Sequence, residues 1–130
     1  KVAMLLDQNT KAEDGGVFVD FFGLPVPVSM AAAALALRTG CEIRFGILLP
    51  DSEGNYRARM AGAILPEEFA NGHDRGVEET RALTQRITSV YESIVREHPE
   101  HWLWMYKRWK HIPPGRGREG YPFYSKMPRA

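Results

Sequence analysis

The chain has 130 residues, of which 44% are hydrophobic and 25% are charged, a composition that excludes global disorder and suits one domain with its own core. Its single cysteine excludes an internal disulfide, and no apolar run is long enough to span a bilayer. Residues 1–100 carry 15 acidic and 10 basic side chains, whereas residues 101–130 carry one and seven, so the C-terminal part is expected to meet an anionic partner.

The chain opens with a short apolar run over residues 2–6, which predicts a strand buried on both faces. Asp7 and Gln8 follow at the carboxyl end of this predicted strand, and ligands of open α/β sheets bind at such ends. Asp7 is therefore a candidate functional carboxylate, although an aspartate that only forms a turn would look the same. Because the chain starts inside a predicted strand, we expect it to be part of a longer protein.

Residues 17–22 are apolar and rich in strand-forming types, and Gly23 closes this second run. Two prolines keep the following residues extended. Ser29 is the predicted N-cap of a buried helix over residues 30–38, because alanine and leucine are strong helix formers.

The middle of the chain predicts two further strands, at residues 42–49 and 56–65, joined by a polar turn. Apolar residues then recur at spacings of three and four, which predicts an amphipathic helix over residues 76–98. Pro99 ends this helix, and residues 100–110 can form a second, short one.

The order of these elements predicts an α/β fold in which a mixed sheet is flanked by helices. Residues 1–110 form the folded part in this interpretation. Residues 111–130 contain several prolines and glycines among basic residues, and they are predicted to form an irregular basic tail.

Five motifs occur in an order that resembles the bacterial lipid A biosynthesis acyltransferases, over about residues 2–110. The last motif contains all three tryptophans of the chain and is the most specific. One departure is Tyr106, which stands where the family usually has histidine and leaves room for a different acceptor. The motifs are Asp7-Gln8, Gly15-Gly16, Phe21-Phe22-Gly23 with Pro25, the small-residue stretch 31–38, and the run Pro99 to Lys110.

The resemblance implies acyl transfer on a fold similar to that of the glycerol-phosphate acyltransferases, with the C-terminal part of that fold present here. The donor would be an acyl carrier protein or coenzyme A thioester, and the acceptor a hydroxyl of a lipid A precursor or related glycolipid. The implied location is the cytoplasmic face of the inner membrane. No metal and no further cofactor are implied.

Family enzymes use an H-x-x-x-x-D/E pair as general base, and the resemblance implies that this pair lies upstream of Lys1. We therefore expect residues 1–130 alone to be inactive. His73 and Glu78 have the same spacing, but they lie far downstream of the expected position, so we reject them as the catalytic pair.

The resemblance gives Asp7 a supporting catalytic role, and it gives substrate contacts to other residues in the first third of the chain. An ordinary strand end with a core phenylalanine is an equally good interpretation of Phe22 and Gly23. The predicted substrate-binding residues are Gln8, Phe22, Gly23 and Ser29.

The tryptophan run predicts contact with an anionic membrane surface, because a helix would place an aromatic face beside cations. The residues assigned to this contact are Trp109, Lys107, Arg108 and Lys110. Alternatively, the tryptophans pack on the sheet, which is the preferred interpretation for Trp102 and Trp104. A second candidate function is a non-enzymatic module that binds anionic lipid or nucleic acid through this end; of the two functions, acyl transfer is preferred, and no nucleic-acid partner is expected.

Overall fold

A computed structural model describes residues 1–69 and 76–128. It contains two antiparallel hairpins and two helices. The first hairpin comprises β1 (Gly16–Phe21) and β2 (Leu24–Ser29), and the second comprises β3 (Ile43–Pro50) and β4 (Tyr56–Ile64). The helices are α1 (Ala31–Thr39) and α2 (Val77–Glu97), and single 3-10 turns span Ala12–Asp14, Pro66–Glu68 and Pro99–His101.

The fold is mixed α/β, as the sequence predicts. The prediction of a single mixed sheet is wrong for the described residues, because β1 pairs only with β2 and β3 pairs only with β4. Each hairpin is joined by a short local turn, which makes an antiparallel partner available without a crossover. The similarity to the glycerol-phosphate acyltransferase fold stays a prediction.

Two predicted elements do not form. Residues 2–6 are irregular and mostly exposed rather than a buried strand, because no partner strand lies beside them in the described chain. The predicted helix over residues 100–110 is a 3-10 turn followed by irregular turns. Side-chain hydrogen bonds instead hold the turns after Trp102 against the body of the protein.

Helix α2 is the centre of the fold, because both hydrophobic clusters pack along it. Its first half contributes Leu83 and Ile87 to a cluster with α1 and the end of β4. Its second half contributes Val95 to a cluster with the first hairpin. The apolar residues of α2, spaced three and four positions apart, therefore pack in both clusters. The helix predicted from this spacing is confirmed within one residue at each end.

Side chains of helix α2 also form hydrogen bonds with backbone groups of β1, whose outer side would otherwise be an open sheet edge. The Gln85 side chain accepts a hydrogen bond from the Asp20 amide at 2.7 Å and donates one to the Asp20 carbonyl at 3.0 Å. Glu92 accepts the Phe22 amide at 2.7 Å. These bonds fix the first hairpin on the helix and thereby position the residues that follow.

Residues 111–128 contain no helix or strand, but they are not detached from the body of the protein. Ile112, Tyr121 and Ser125 are buried, and the Tyr121 hydroxyl donates to the Pro25 carbonyl at 3.0 Å. The prediction of a separate domain boundary near residue 110 stays a prediction, although this segment packs on the first hairpin.

Candidate functional site

The Asp7–Asn9 segment lies against residues 106–108, almost 100 positions later in the chain. The Asn9 amide N–H donates to the Tyr106 hydroxyl at 2.7 Å. The Asn9 side chain donates to the Lys107 carbonyl at 3.1 Å and accepts from Arg108 Nη1 at 3.1 Å. Three bonds through one asparagine therefore fix the backbone immediately after Asp7 and Gln8.

Asp7 and Gln8 themselves are exposed, in an irregular segment rather than at a strand end. The Asp7 carboxylate has no hydrogen bond or ion pair within residues 1–69 and 76–128. Its negative charge nevertheless acts on a half-buried neighbour: after the larger effect of burial, it helps to raise the pKa of Tyr91. An anchored segment with an accessible carboxylate is a suitable place for a group that contacts substrate.

Arg108 is the largest fully buried side chain among the described residues, with 0% of its surface exposed. The prediction that it contacts lipid is therefore wrong. Its guanidinium lies over the Phe21 ring at 5.7 Å, and Nε and Nη2 have no hydrogen-bond partner within the described chain. Burial lowers the pKa of Arg108, and the nearby Tyr91, Tyr106 and Asp7 partly oppose that effect.

Trp109 also points inward, into an aromatic cluster around the fully buried Phe21. The two rings are stacked with centroids 5.8 Å apart, and the Trp109 indole N–H donates to the Phe21 carbonyl at 3.2 Å. Trp102 packs on Phe21 and Tyr91 in the same cluster. The inward interpretation is thus confirmed for Trp102, whereas Trp104 is 56% exposed.

Lys107 and Lys110 are exposed, as a membrane contact would require, and that contact stays a prediction. With Lys11 they line a recess of about 520 Å³ beside Asn9. We call it the basic recess and define it by Asn9, Lys11, Asp14, Met105, Tyr106, Lys107, Lys110 and His111. Asn9 and His111 are not among the residues predicted from the sequence, although Asn9 directly follows Asp7 and Gln8.

A second cavity, of about 210 Å³, lies between β3 and the second half of α2. Ile47, Leu49 and Ile94 contribute apolar walls, and His98 and His101 also line the cavity. We call it the apolar groove. Among the described residues no group of three histidine, cysteine or acidic side chains is close enough to hold a metal ion.

Phe22 and Gly23 form the two-residue turn between β1 and β2. Both have positive φ, 52° and 78°, as a tight hairpin of right-twisted strands requires. The Phe22 ring contacts Arg96 at 4.5 Å and the edge of Trp109. This geometry gives both residues a structural role, and their contact with substrate stays a prediction.

The turn supplies a test of the two interpretations. Gly23→Ala should cost about 1–2 kcal/mol of folding stability, because a side chain is strained at positive φ although the new Cβ would meet no atom within 4 Å. Thermal unfolding and steady-state kinetics of the intact enzyme measure the two effects. A structural role predicts a lower melting temperature with unchanged kcat and KM; a tenfold loss of activity would instead place Gly23 at the substrate.

Ser29 is the last residue of β2, and the N-cap position of α1 is occupied by Met30 rather than by Ser29. The Ser29 hydroxyl accepts a hydrogen bond from the Ala31 amide at 3.2 Å, so Ser29 assists the start of the helix from the position before the N-cap. Its predicted substrate contact stays a prediction. His73, half of the rejected histidine–glutamate pair, lies outside the described residues.

Comparison with known proteins places this chain among the acyltransferases. Residues 1–111 match the family model described as bacterial lipid A biosynthesis acyltransferase, and the chain belongs to that family. The match covers the Asp7–Asn9 segment, the aromatic cluster and both lysines of residues 107–110. Among curated proteins and solved structures, none is similar enough to match the chain.

Proposed function

We propose that this chain is the C-terminal part of an enzyme that moves a fatty acyl group from an acyl carrier protein or coenzyme A thioester to a hydroxyl of a lipid A precursor or related glycolipid. Membership of the family carries the reaction class. The observation that carries the site is the anchoring of Asp7–Asn9 on residues 106–108 through three Asn9 hydrogen bonds.

In this proposal the general base is the histidine of an H-x-x-x-x-D/E pair upstream of Lys1. It removes the proton from the acceptor hydroxyl, whose oxygen forms the new ester bond with the acyl carbon. The carbon–sulfur bond breaks, and the donor thiol leaves with a proton. Asp7 orients the base or the acceptor.

The apolar groove is the proposed location of part of the acyl chain. Its walls combine aliphatic side chains of β3 with Tyr91 and Trp102 at the edge of the aromatic cluster. Burial of a hydrocarbon chain against such walls is favourable because it removes apolar surface from water.

The function is tested with two proteins, the intact enzyme and the polypeptide of residues 1–130. Thiol release from an acyl thioester and the mass of the acylated glycolipid are measured for both. We expect turnover by the intact enzyme and none by the shorter polypeptide. Thiol release without an acylated product would contradict glycolipid transfer, and turnover by residues 1–130 would contradict the upstream base.

The enzyme is proposed to act at the cytoplasmic face of the inner membrane. No helix among the described residues has the length and hydropathy needed to cross a bilayer. Leu103, Trp104 and Met105 are 63%, 56% and 86% exposed, and Lys107 follows two residues after Met105. An exposed apolar segment next to a cation suits the interface of an anionic membrane.

Trp104 provides a direct probe of that contact. In proteoliposomes containing brominated lipid, we expect Trp104→Phe to remove a large part of the lipid-dependent quenching of tryptophan fluorescence, because its ring is exposed. Trp102→Phe is the matched control, since Trp102 packs against Phe21 and Tyr91. Equal quenching in the wild type and Trp104→Phe would show that this segment does not enter the interface.

A further inference from the structure

We propose that the basic recess binds a phosphate group carried by one of the two substrates. This inference rests on the proposed function, because it names a chemical feature of the donor or acceptor that the enzyme holds. Lys11, Lys107 and Lys110 contribute three positive charges to the lining, against one carboxylate from Asp14. A lysine ammonium is a compact point charge of the kind that commonly binds phosphate.

The two C-terminal lysines project from a backbone that is fixed on both sides. The Lys110 amide donates to the Lys107 carbonyl at 3.1 Å, and the same carbonyl accepts the Asn9 side chain. The Lys110 carbonyl in turn accepts the Lys126 amide at 2.7 Å. Because their backbones are held, the two ammonium groups lose less freedom on binding than lysines on a mobile loop would.

The recess also offers a neutral donor. The Tyr106 hydroxyl oxygen accepts the Asn9 amide, which leaves its own proton to donate to a ligand oxygen. The phenol therefore places one O–H donor beside the lysine side chains of the recess.

His111 reports the electrostatic character of the recess. Burial lowers the pKa of His111, and the positive charges of Lys110, Lys11 and Lys126 lower it further, with only Glu13 opposing them. Lys11 itself is paired with Glu13 at 3.0 Å. A dianionic phosphate in the recess would reverse this effect, so its binding should raise the pKa of His111.

The first experiment measures binding without turnover. Glucosamine 1-phosphate and 4′-phosphopantetheine, each against its phosphate-free counterpart, are titrated into the intact enzyme while the His111 imidazole is followed by NMR. We expect a phosphate-bearing probe to raise the pKa of His111 and its neutral counterpart to leave it unchanged. The same response to neutral and phosphorylated probes, or no response to either phosphate, would overturn the proposal.

The second experiment uses Lys107→Gln/Lys110→Gln. Its KM for the phosphate-bearing substrate should rise roughly 10- to 100-fold, because two charge-assisted hydrogen bonds are lost, whereas KM for the dephosphorylated form should match that of the wild type. Arg38→Gln/Arg59→Gln removes two exposed charges outside the recess and should change neither KM. Equal effects on both forms of the substrate would overturn the proposal.

Comparison of the phosphorylated and phosphate-free forms of each substrate identifies which substrate carries the phosphate that binds in the basic recess. A phosphate-dependent effect with acyl-phosphopantetheine against acyl-pantetheine assigns the recess to the donor, and one with phosphorylated against dephosphorylated glycolipid assigns it to the acceptor. Loss of binding to phosphatidylglycerol vesicles without any preference for phosphorylated substrate would assign the lysines to the membrane surface and overturn the recess. If phosphate probes bind but no acyl product forms, the proposed function fails while the phosphate site stands.

Discussion

Asp7→Asn should lower acyl transfer by the intact enzyme by about 100-fold or more while leaving its melting temperature unchanged. The carboxylate is exposed and has no hydrogen bond or ion pair in the described parts of the chain, so folding gains little from it. Its proposed role requires a negative charge at a fixed position. That position is fixed because Asn9, two residues later, is hydrogen-bonded to Tyr106 and Lys107. The amide side chain keeps the shape and removes only the charge.

Steady-state kinetics and thermal unfolding measure the two halves of this expectation. Asp20→Asn is the matched control, since Asp20 is an exposed aspartate of β1 whose backbone, rather than carboxylate, bonds to Gln85. It should retain wild-type turnover. If Asp7→Asn kept more than half of the activity, the aspartate would be only a turn residue and the Asp7–Asn9 segment would lose its proposed role.

The sequence predicted those elements whose determinants are local. Helix α2 follows from the spacing of its apolar residues, and its observed bounds, Val77–Glu97, agree with the prediction. The strands Ile43–Pro50 and Tyr56–Ile64 follow from two β-prone runs with a turn between them. In each case the determining pattern lies within one element or two consecutive elements, although the partners on which α2 packs are distant in the sequence.

Predictions from the sequence were wrong where the packing partner of a segment lies far away in the chain. The apolar run of residues 2–6 resembles a buried strand, but strand formation requires a neighbour that no local pattern reveals. The run from residue 100 to 110 has helical spacing, yet tertiary bonds to Asn9 and Phe21 select irregular turns instead. The same distance explains why Arg108 was assigned to the surface: its buried position depends on Phe21 and Asn9, which are 87 and 99 residues earlier.

Part of the candidate site was predicted from the sequence, because the resemblance pointed to Asp7 and the aromatic and cationic pattern of the tryptophan run pointed to Lys107 and Lys110. Their relationship to one another required the structure. Asn9 is the connecting residue, and nothing in its own neighbourhood distinguishes it from an ordinary turn asparagine. A polar residue acquires such a role only through its partners, which in this chain come from the other end.

Replacement of Arg108 by methionine should lower the activity of the enzyme without lowering its stability. Arg108→Met is expected to keep the free energy of unfolding within about 1 kcal/mol of the wild type or to raise it, because an unbranched apolar side chain can fill the space of a buried charge at no electrostatic cost. Acyl transfer should nevertheless fall by about 10- to 100-fold, since Asn9 loses the bond from Arg108 Nη1 and displacement of the segment misplaces Asp7. Denaturant unfolding and kcat/KM measure the two quantities.

Arg108→Ala and Arg108→Lys complete the test. The alanine variant should lose about 2–3 kcal/mol of stability, because a fully buried side chain beside Phe21 is removed and a cavity remains. The lysine variant keeps the charge but lacks the planar donor group, and it should not restore activity. If the methionine variant were fully active, Arg108 would act only in packing; if it were unfolded, the guanidinium would be required for the fold. The proposed role as a positioning residue therefore depends on the methionine variant being folded and impaired.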